Sequence, residues 1–346
     1  MDKIYKQFRL ILLSTVLSTS AIVVVAQRVD PPEPPAIPST TRVKPRPFPQ
    51  IGPGGRYGGP NSERFIKVDP SINLSFCVNQ GKVKVNGWNR DEIRVFVSDG
   101  SSVSFKVLQK SQKTGDPVWL MIVAAEAKPK QAAPNECLSG GDIEIDAPLN
   151  STINIKGQEV TTQIDSVKKV NIRTIGGDIS ASKIANGVTA SAGQGDITVE
   201  DSQGAMLLES TTGNIVVFEA GPSEIGDIFK ARTHGGTVSM ERLDYRQLEV
   251  NSISGSVIYV GEVLNGGTYG FGTTNGSIRL TLPKNSSSGL SASYGFGSFN
   301  SDFPIKITTE TISEGPVKSI VGTLGTGGDS ILKLTTNNGS ISIRKQ

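Results

Sequence analysis

Histidine occurs once in the 346 residues, as His234, and cysteine only twice, as Cys77 and Cys137. A nucleophilic triad built on histidine would have to use His234, which stands beside Gly235-Gly236 in a turn, and no nucleophile-elbow pattern precedes a helix. Two cysteines without a histidine nearby do not make a zinc site. Basic clusters are lacking too. The formal charge is +3, and setting aside residues 1–26 removes Lys3, Lys6, Arg9 and Asp2. The near-neutral remainder argues against nucleic acid as a partner. No long run has a 3.6-residue period, so helices are not expected. Beyond residue 26 no apolar run is long enough to span a bilayer.

Glycine is abundant and it is placed in order. The turns Gly177-Asp178-Ile179, Gly195-Asp196-Ile197, Gly213-Asn214-Ile215, Gly236-Thr237-Val238, Gly255-Ser256-Val257 and Gly276-Ser277-Ile278 follow one another at steps of 18, 18, 23, 19 and 21 residues. Gly141-Asp142-Ile143 lies 36 residues upstream of Gly177, two steps of 18, and Gly339-Ser340-Ile341 closes the chain with the same phrase. A period of about 20 residues signals a stacked array. Between the turns the chain alternates, as in Val170 and Ile172 or Ile278 and Leu280, which is the pattern of strands buried on one face. A unit of two short strands cannot bury its apolar side alone, so neighbours must stack on it. The glycines suit places where the backbone turns through positive φ or passes close to the next rung. These features predict an all-β chain, a single-stranded parallel β-solenoid (β-helix-like) with N- and C-terminal caps. The alternative is an antiparallel β-meander or sandwich of hairpin repeats. The unequal steps, and Asn275-Gly276 with its fit to a type I′ turn, keep that alternative open.

The ends differ from this middle. Residues 1–26 read as a signal peptide, with Lys3, Lys6 and Arg9 before the apolar Leu10 to Val25 and Val24-Val25-Ala26 as the cleavage site. An uncleaved segment would be the one membrane contact expected. Residues 27–62 hold ten of the 19 prolines and almost nothing apolar, so they form an extended tether, mildly basic through Arg42, Lys44, Arg46 and Arg56. Residues 63–346 are the β-repeat domain: 63–140 an N-terminal cap and first rungs, 141–282 the repeats, 283–346 the C-terminal rungs and cap. In the first part, Lys82 to Trp88 and Glu92 to Val97 alternate around a turn at Asn89-Arg90-Asp91. Val103 to Leu108 and Val118 to Val123 form a further pair around Thr114-Gly115-Asp116. Trp88 is expected to pack over the first rung.

Three groups of side chains are candidates for more than packing. In an exported chain, Cys77 and Cys137 predict one disulfide, with two free buried thiols as the alternative. Asp142, Asp178 and Asp196 share one turn position. Stacked coils would bring Asp178 and Asp196 about 5 Å apart, where a cation such as calcium could offset their repulsion. The column runs on as Asn214, Thr237, Ser256 and Ser277, however, and every member can complete a tight turn by bonding a local backbone N–H, which is the preferred reading. Tyr269 and Phe271, and again Tyr294 and Phe296, lie at i and i+2 with glycine between. Each pair shares a strand face and could stack on sugar rings; core filling beneath the cap is the simpler account.

The phrases Gly276-Ser277-Ile278-Arg279-Leu280-Thr281-Leu282-Pro283, Asn300-Ser301-Asp302-Phe303-Pro304 and Leu332 to Ile343, with the early Gly81 to Val95, resemble a bacterial β-strand-repeat domain family of unknown function that is regarded as adhesin-like. The resemblance covers about residues 63–346. It implies an exported β-solenoid with an adhesive or scaffolding role and supplies no catalytic residues. The expectation is therefore an extracytoplasmic, non-enzymatic protein without a cofactor, binding a surface polysaccharide or a cell-surface protein through a repetitive face. Two other classes compete with it: a self-assembling structural protein of the cell envelope, and a β-helix polysaccharide lyase or hydrolase.

Overall fold

Alternating sequence becomes strand almost throughout the computed structural model, which describes residues 62–125, 137–139, 141–312 and 317–346. The signal assigned to 1–26 and all but the last residue of the tether assigned to 27–62 lie outside the described residues, as does the 126–136 region. No described residue is helical, and none lies in a helix long and apolar enough to cross a membrane.

The repeats supply the plan. Six coils follow in order, each with two strands: β8 (Lys169–Gly176) and β9 (Ile179–Ser182), β10 (Val188–Gln194) and β11 (Ile197–Gln203), β12 (Met206–Thr212) and β13 (Ile215–Gly221), β14 (Phe229–Gly235) and β15 (Val238–Leu243), β16 (Gln247–Ser254) and β17 (Val257–Val260), β18 (Thr268–Asn275) and β19 (Ile278–Leu282). Even-numbered strands pair in parallel with one another to form a first ladder, and odd-numbered strands form a second. The chain is thus a parallel β-solenoid, and the hairpin meander is excluded. Register places Val170, Val188, Met206, Phe229, Leu248 and Tyr269 in one inward column of the first ladder. Ile179, Ile197, Ile215, Val238, Val257 and Ile278 face them from the second. All twelve are buried. At roughly 1.5–3 kcal/mol for each large apolar side chain removed from water, the interior between the ladders is the main source of stability.

Each coil turns twice. At the first corner stands the glycine column, and it is a matter of room. A Cβ on Gly195 would overlap the carbonyl of Gly177, one on Gly213 that of Gly195, and so on through Gly236, Gly255 and Gly276. At the second corner the chain bends through residues with left-handed backbone that are not glycine: Ser166, Lys183, Asp201, Glu219 and Arg242, with φ between 44° and 58°. The register puts these five on successive rungs. All variation in step length falls after this bend. The step of 23 carries the 222–228 loop and the step of 21 carries the 261–267 loop, so the uneven spacing leaves the stack intact.

The ends are woven. At the N-terminal end, β1 (Ser62–Lys67), β2 (Asn73–Trp88), β3 (Glu92–Val97), β4 (Val103–Lys110), β5 (Pro117–Ala124), β6 (Asp142–Pro148) and β7 (Thr152–Asp165) precede the coils. The long β2 and β7 each run through both ladders and join them into one hydrogen-bonded sheet. β2 lies between β7 on one side and β5 with β6 on the other. The turn at Asn89-Arg90-Asp91 does not make a hairpin of β2 and β3: β6 intervenes, pairing antiparallel with β3, which carries β1. β4 and β5 do pair antiparallel, as their alternation predicts. At the other end, β20 (Ser288–Phe296), β21 (Phe299–Ser301), β22 (Ile305–Ile312) and β23 (Lys318–Leu324) are followed by β24 (Ile331–Asn338) and β25 (Ile341–Lys345). The last two do not close the stack. They slot in beside β18 and β19, and β20 and β21 lie outside them. The glycine column shows why this order packs: Gly339 seats on the carbonyl of Gly276, and Gly297 on that of Gly339. Antiparallel strands thus border the first ladder at both ends, where open parallel edges would template further pairing.

Candidate functional site

Cys77 and Cys137 are joined in a disulfide, with Cα atoms 4.6 Å apart. Leu138 bridges Val78 beside it, donating its N–H to the Cys77 carbonyl at 2.8 Å. The bond closes a 60-residue span, worth about 4 kcal/mol through the unfolded chain. It ties the segment after the 126–136 region to the outer side of β2.

The aspartates share a column, as the spacing predicts, but not one site. Lys82 of β2 and Thr161 of β7 lie in register between Asp142 and Asp178, so Asp142 stands three rungs away, about 14 Å at one strand spacing per rung. The chain-order step of 36 residues hides this, because β2 comes from earlier in the sequence. Asp178 and Asp196 are adjacent, and a hydrogen bond joins their rungs. Asp178 Oδ1 accepts the backbone N–H of Asp196 at 2.9 Å, Asp196 Oδ1 that of Asn214 at 2.7 Å, and Asn214 Oδ1 that of Thr237 at 2.9 Å. Each side chain thus holds the next coil and not its own turn. Among the described residues no cluster of three or more metal-ligating side chains occurs.

The aromatic words divide. Tyr269 (0 % exposed), Phe271 and Tyr294 are in the core, where no sugar reaches them, whereas Phe296 is 69 % exposed. The repeated Tyr-Gly-Phe-Gly words are not equivalent in space. Leu290 stands in the register of Tyr269, and Tyr294 in that of Thr273. That register belongs to a column the sequence reading missed. Ser210, Thr233, Ser252, Thr273 and Thr336 are buried, and each hydroxyl donates to a glycine carbonyl of the preceding rung, at 2.8–3.0 Å. Its signal was available: a Ser or Thr three residues before each of Gly213, Gly236, Gly255, Gly276 and Gly339. Trp88 is half-buried; its Nε1 donates to the Glu92 carbonyl at 2.8 Å and Arg90 lies over its ring.

Hollows lie at the second corner, the larger of about 750 Å³ beside Asp201, Glu219, Arg242 and Asp244, and along the outer side of the first ladder. Three adjoining hollows run along that outer side, of about 610, 410 and 640 Å³. The first two share Thr189, Ser191 and Glu209, and the last two share Arg232, Glu249 and Asn251. Together they form one groove that crosses ten strands from β5 to β24, about 43 Å at one strand spacing per rung. Its floor mixes short polar side chains with apolar ones such as Met121, Leu207 and Ile253. Asn171 donates to Asn154 at 2.9 Å, Gly270 and Gly272 leave a flat stretch, and Thr335 and Asn337 border it. Two rows of charge project from it. Lys230 pairs with Glu249 at 2.9 Å. Among the described residues Lys156, Arg173, Arg232 and Lys333 have no ion-pair partner, and all four are exposed. His234 is exposed at the rim.

Three buried tyrosines line the second corner of the later coils. Burial pushes the hydroxyls of Tyr245 and Tyr259 well above the ordinary tyrosine range and raises that of Tyr269. Tyr245 donates to the Gly204 carbonyl, Tyr259 to Glu262 and Tyr269 to Tyr245, at 2.6–3.0 Å. They hold loops and face no groove.

Residues 73–344 match the family described as Toastrack DUF4097. Two solved structures are similar to the chain. A "putative cell adhesion protein" from Clostridium sporogenes is 12 % identical, with 83 % of this chain and 100 % of that one covered and a TM-score of 0.25. A "putative lipid binding protein" from Parabacteroides distasonis is 14 % identical, with 83 % and 97 % covered and a TM-score of 0.35. No curated protein matches the chain.

Proposed function

The chain belongs to the Toastrack DUF4097 family, and from that premise we propose that it is an exported binding protein that takes a linear surface glycan along the first ladder. The continuous ten-strand groove carries this reading. A coil advances by one strand spacing, so equivalent positions recur at constant intervals along the axis. Such a surface suits a polymer with its own repeat and offers a small molecule little enclosure. Short polar side chains on the floor supply hydrogen-bond donors and acceptors for sugar hydroxyls. Export is supported by the charged-then-apolar residues 1–26 and by the disulfide, a bond suited to oxidising compartments.

The groove is read as binding without chemistry. Its lone histidine is at the rim, and Glu249 is occupied by Lys230. Release of oligosaccharides from polyuronides, with or without calcium, would overturn that part. The binding claim is tested by a glycan array probed with the mature chain. Retention on linear glycans, and not on their short oligomers, is expected; retention on no glycan at all would refute it and leave a protein partner or scaffolding.

A further inference from the structure

Building on the glycan-groove reading, we infer that the occupant is polyanionic, a linear glycan carrying carboxylate or phosphate groups. The argument is about charge left unmatched. Lys156 and Arg173 are direct register partners on β7 and β8, about 5 Å apart in the backbone. Like charges that close destabilise the free protein unless an anion lies between them. Three rungs on from Arg173 stands Arg232, and three rungs beyond that strand stands Lys333. Along the axis each interval is about 14 Å, but Lys333 lies in the other row, in register with Gly270 and Glu249 and two residues aside from the row of Arg173 and Arg232. None of the four is in an ion pair among the described residues, although Arg232 has Glu209 as its register partner, whereas Glu249 spends its charge on Lys230. Glu209 is the one other carboxylate lining the groove. Its presence beside Arg232 gives the site register selectivity, since an anion must sit past it.

The second ladder's outer side is different. There cations and carboxylates interleave, and Arg94 is held by Asp146 at 2.5 Å, by Glu63 at 3.2 Å and by Glu144 at 3.5 Å. Lys82 and Lys84 there are without an ion pair among the described residues, but each has a carboxylate as register partner, Asp142 and Glu144, so the adjacent cations Lys156 and Arg173 of the first ladder are the stronger attraction for a polyanion. Arginine at two of the four positions suits paired hydrogen bonds to a carboxylate or a phosphate.

The test uses the mature chain and a variant carrying Lys156→Gln, Arg173→Gln, Arg232→Gln and Lys333→Gln. All four side chains are exposed, so the variant should fold, and loss of the Lys156–Arg173 repulsion should leave the thermal midpoint unchanged or slightly raised; it is measured alongside. Binding is titrated against a polyuronate, a glycerol-phosphate polymer, a neutral glucan and duplex DNA at two salt concentrations. The expected result is tighter binding to an anionic glycan than to the neutral one. It should weaken with salt and fall about tenfold or more in the variant, the scale of several exposed ion pairs lost together. The two anionic arms distinguish carboxylate from phosphate. A control carrying Lys82→Gln, Lys84→Gln and Arg279→Gln on the second ladder should bind like the native chain. Equal binding to the neutral glucan, or native-level binding by the four-site variant, overturns the charge inference and leaves the glycan groove standing. Equally tight binding of DNA, lost in the variant, shows a cationic face without glycan selectivity and also overturns it. No binding to any polymer removes both readings.

Discussion

At one corner of every coil the chain turns on glycine, and rungs are stitched by Ser and Thr hydroxyls inside and by Asp, Asn and Ser side chains outside. At the other it turns on Ser166, Lys183, Asp201, Glu219 and Arg242 in the left-handed region, and then takes loops of differing length. The first corner is uniform because backbones touch there. The second has space, so residue type and loop length drift. What differs is clearance, and clearance decides how much a substitution costs.

The largest effect is expected where clearance is least. Gly276 lies between the rungs of Gly255 and Gly339, and a Cβ there meets the Gly255 carbonyl. That neighbour is backbone and cannot rotate aside, so the coils must part. Gly276→Ala should cost about 3 kcal/mol or more, read as a fall in the denaturation midpoint. A loss below about 1 kcal/mol would mean that the column is not tightly packed.

Alkali should attack the second corner first. Tyr245, Tyr259 and Tyr269 hold its loops, and burial raises all three above the free value near 10. A tyrosine is neutral when protonated, so the raised folded pKa favours the native state below about pH 10 and withdraws that support as pH climbs above it. Stability measured from pH 8 to 11 should hold and then decline. In a Tyr245→Phe, Tyr259→Phe, Tyr269→Phe variant the alkaline limb should flatten. An unchanged limb would place the titration elsewhere. On the acid side, burial of Asp165 opposes its charge, but bonds from Ser166, Ser182 and Lys183 outweigh that and hold its carboxyl below the usual range. Its contribution is present above the ordinary carboxylate pKa and disappears as pH falls through the lowered one.

A smaller effect tests the inner hydroxyl ladder. Ser252 donates to the Gly236 carbonyl at 2.9 Å from a buried position. Ser252→Ala should cost about 1 kcal/mol. Ala192 occupies the same register without a hydroxyl, so the coil folds without that bond, and Ala192→Ser should recover part of the same sum. If neither change moves the midpoint, the ladder contributes nothing beyond fit.

The glycine column was legible in the sequence because close approach leaves no alternative to glycine, so spacing alone revealed the stack. Strand weaving at the ends was not legible. Leu332 and Leu334 alternate like any inward pair, and nothing local says that they enter beside Tyr269 and Phe271 and not beyond Leu290. Repeated words misled for the same reason: Tyr294 is placed by its distance to Gly297, and the likeness to Tyr269 is incidental. The groove was half legible. Outward positions follow from alternation, but the meeting of Lys156 with Arg173, and the gap of three rungs to Arg232, exist only once the register is fixed. Asp142 is the converse, near Asp178 in chain order and remote from it in the stack.

The smallest effect has the opposite sign and sits at the second corner. Asp201 bends at φ 44°, a conformation that costs an L-residue roughly 1–2 kcal/mol and an aspartate less, because its short side chain tolerates the left-handed region. Glycine removes that cost but adds about 0.5–1 kcal/mol of unfolded-chain entropy. The balance for Asp201→Gly is a gain of about 0.5 kcal/mol or less, and for Lys183→Gly somewhat more, reduced by the exposed pair between Lys183 and Asp165 at 3.4 Å. Chemical denaturation of both single variants resolves the order. A loss on the scale of Gly276→Ala at either position would show that the second corner is as crowded as the first, and the contrast between the corners would then need another cause.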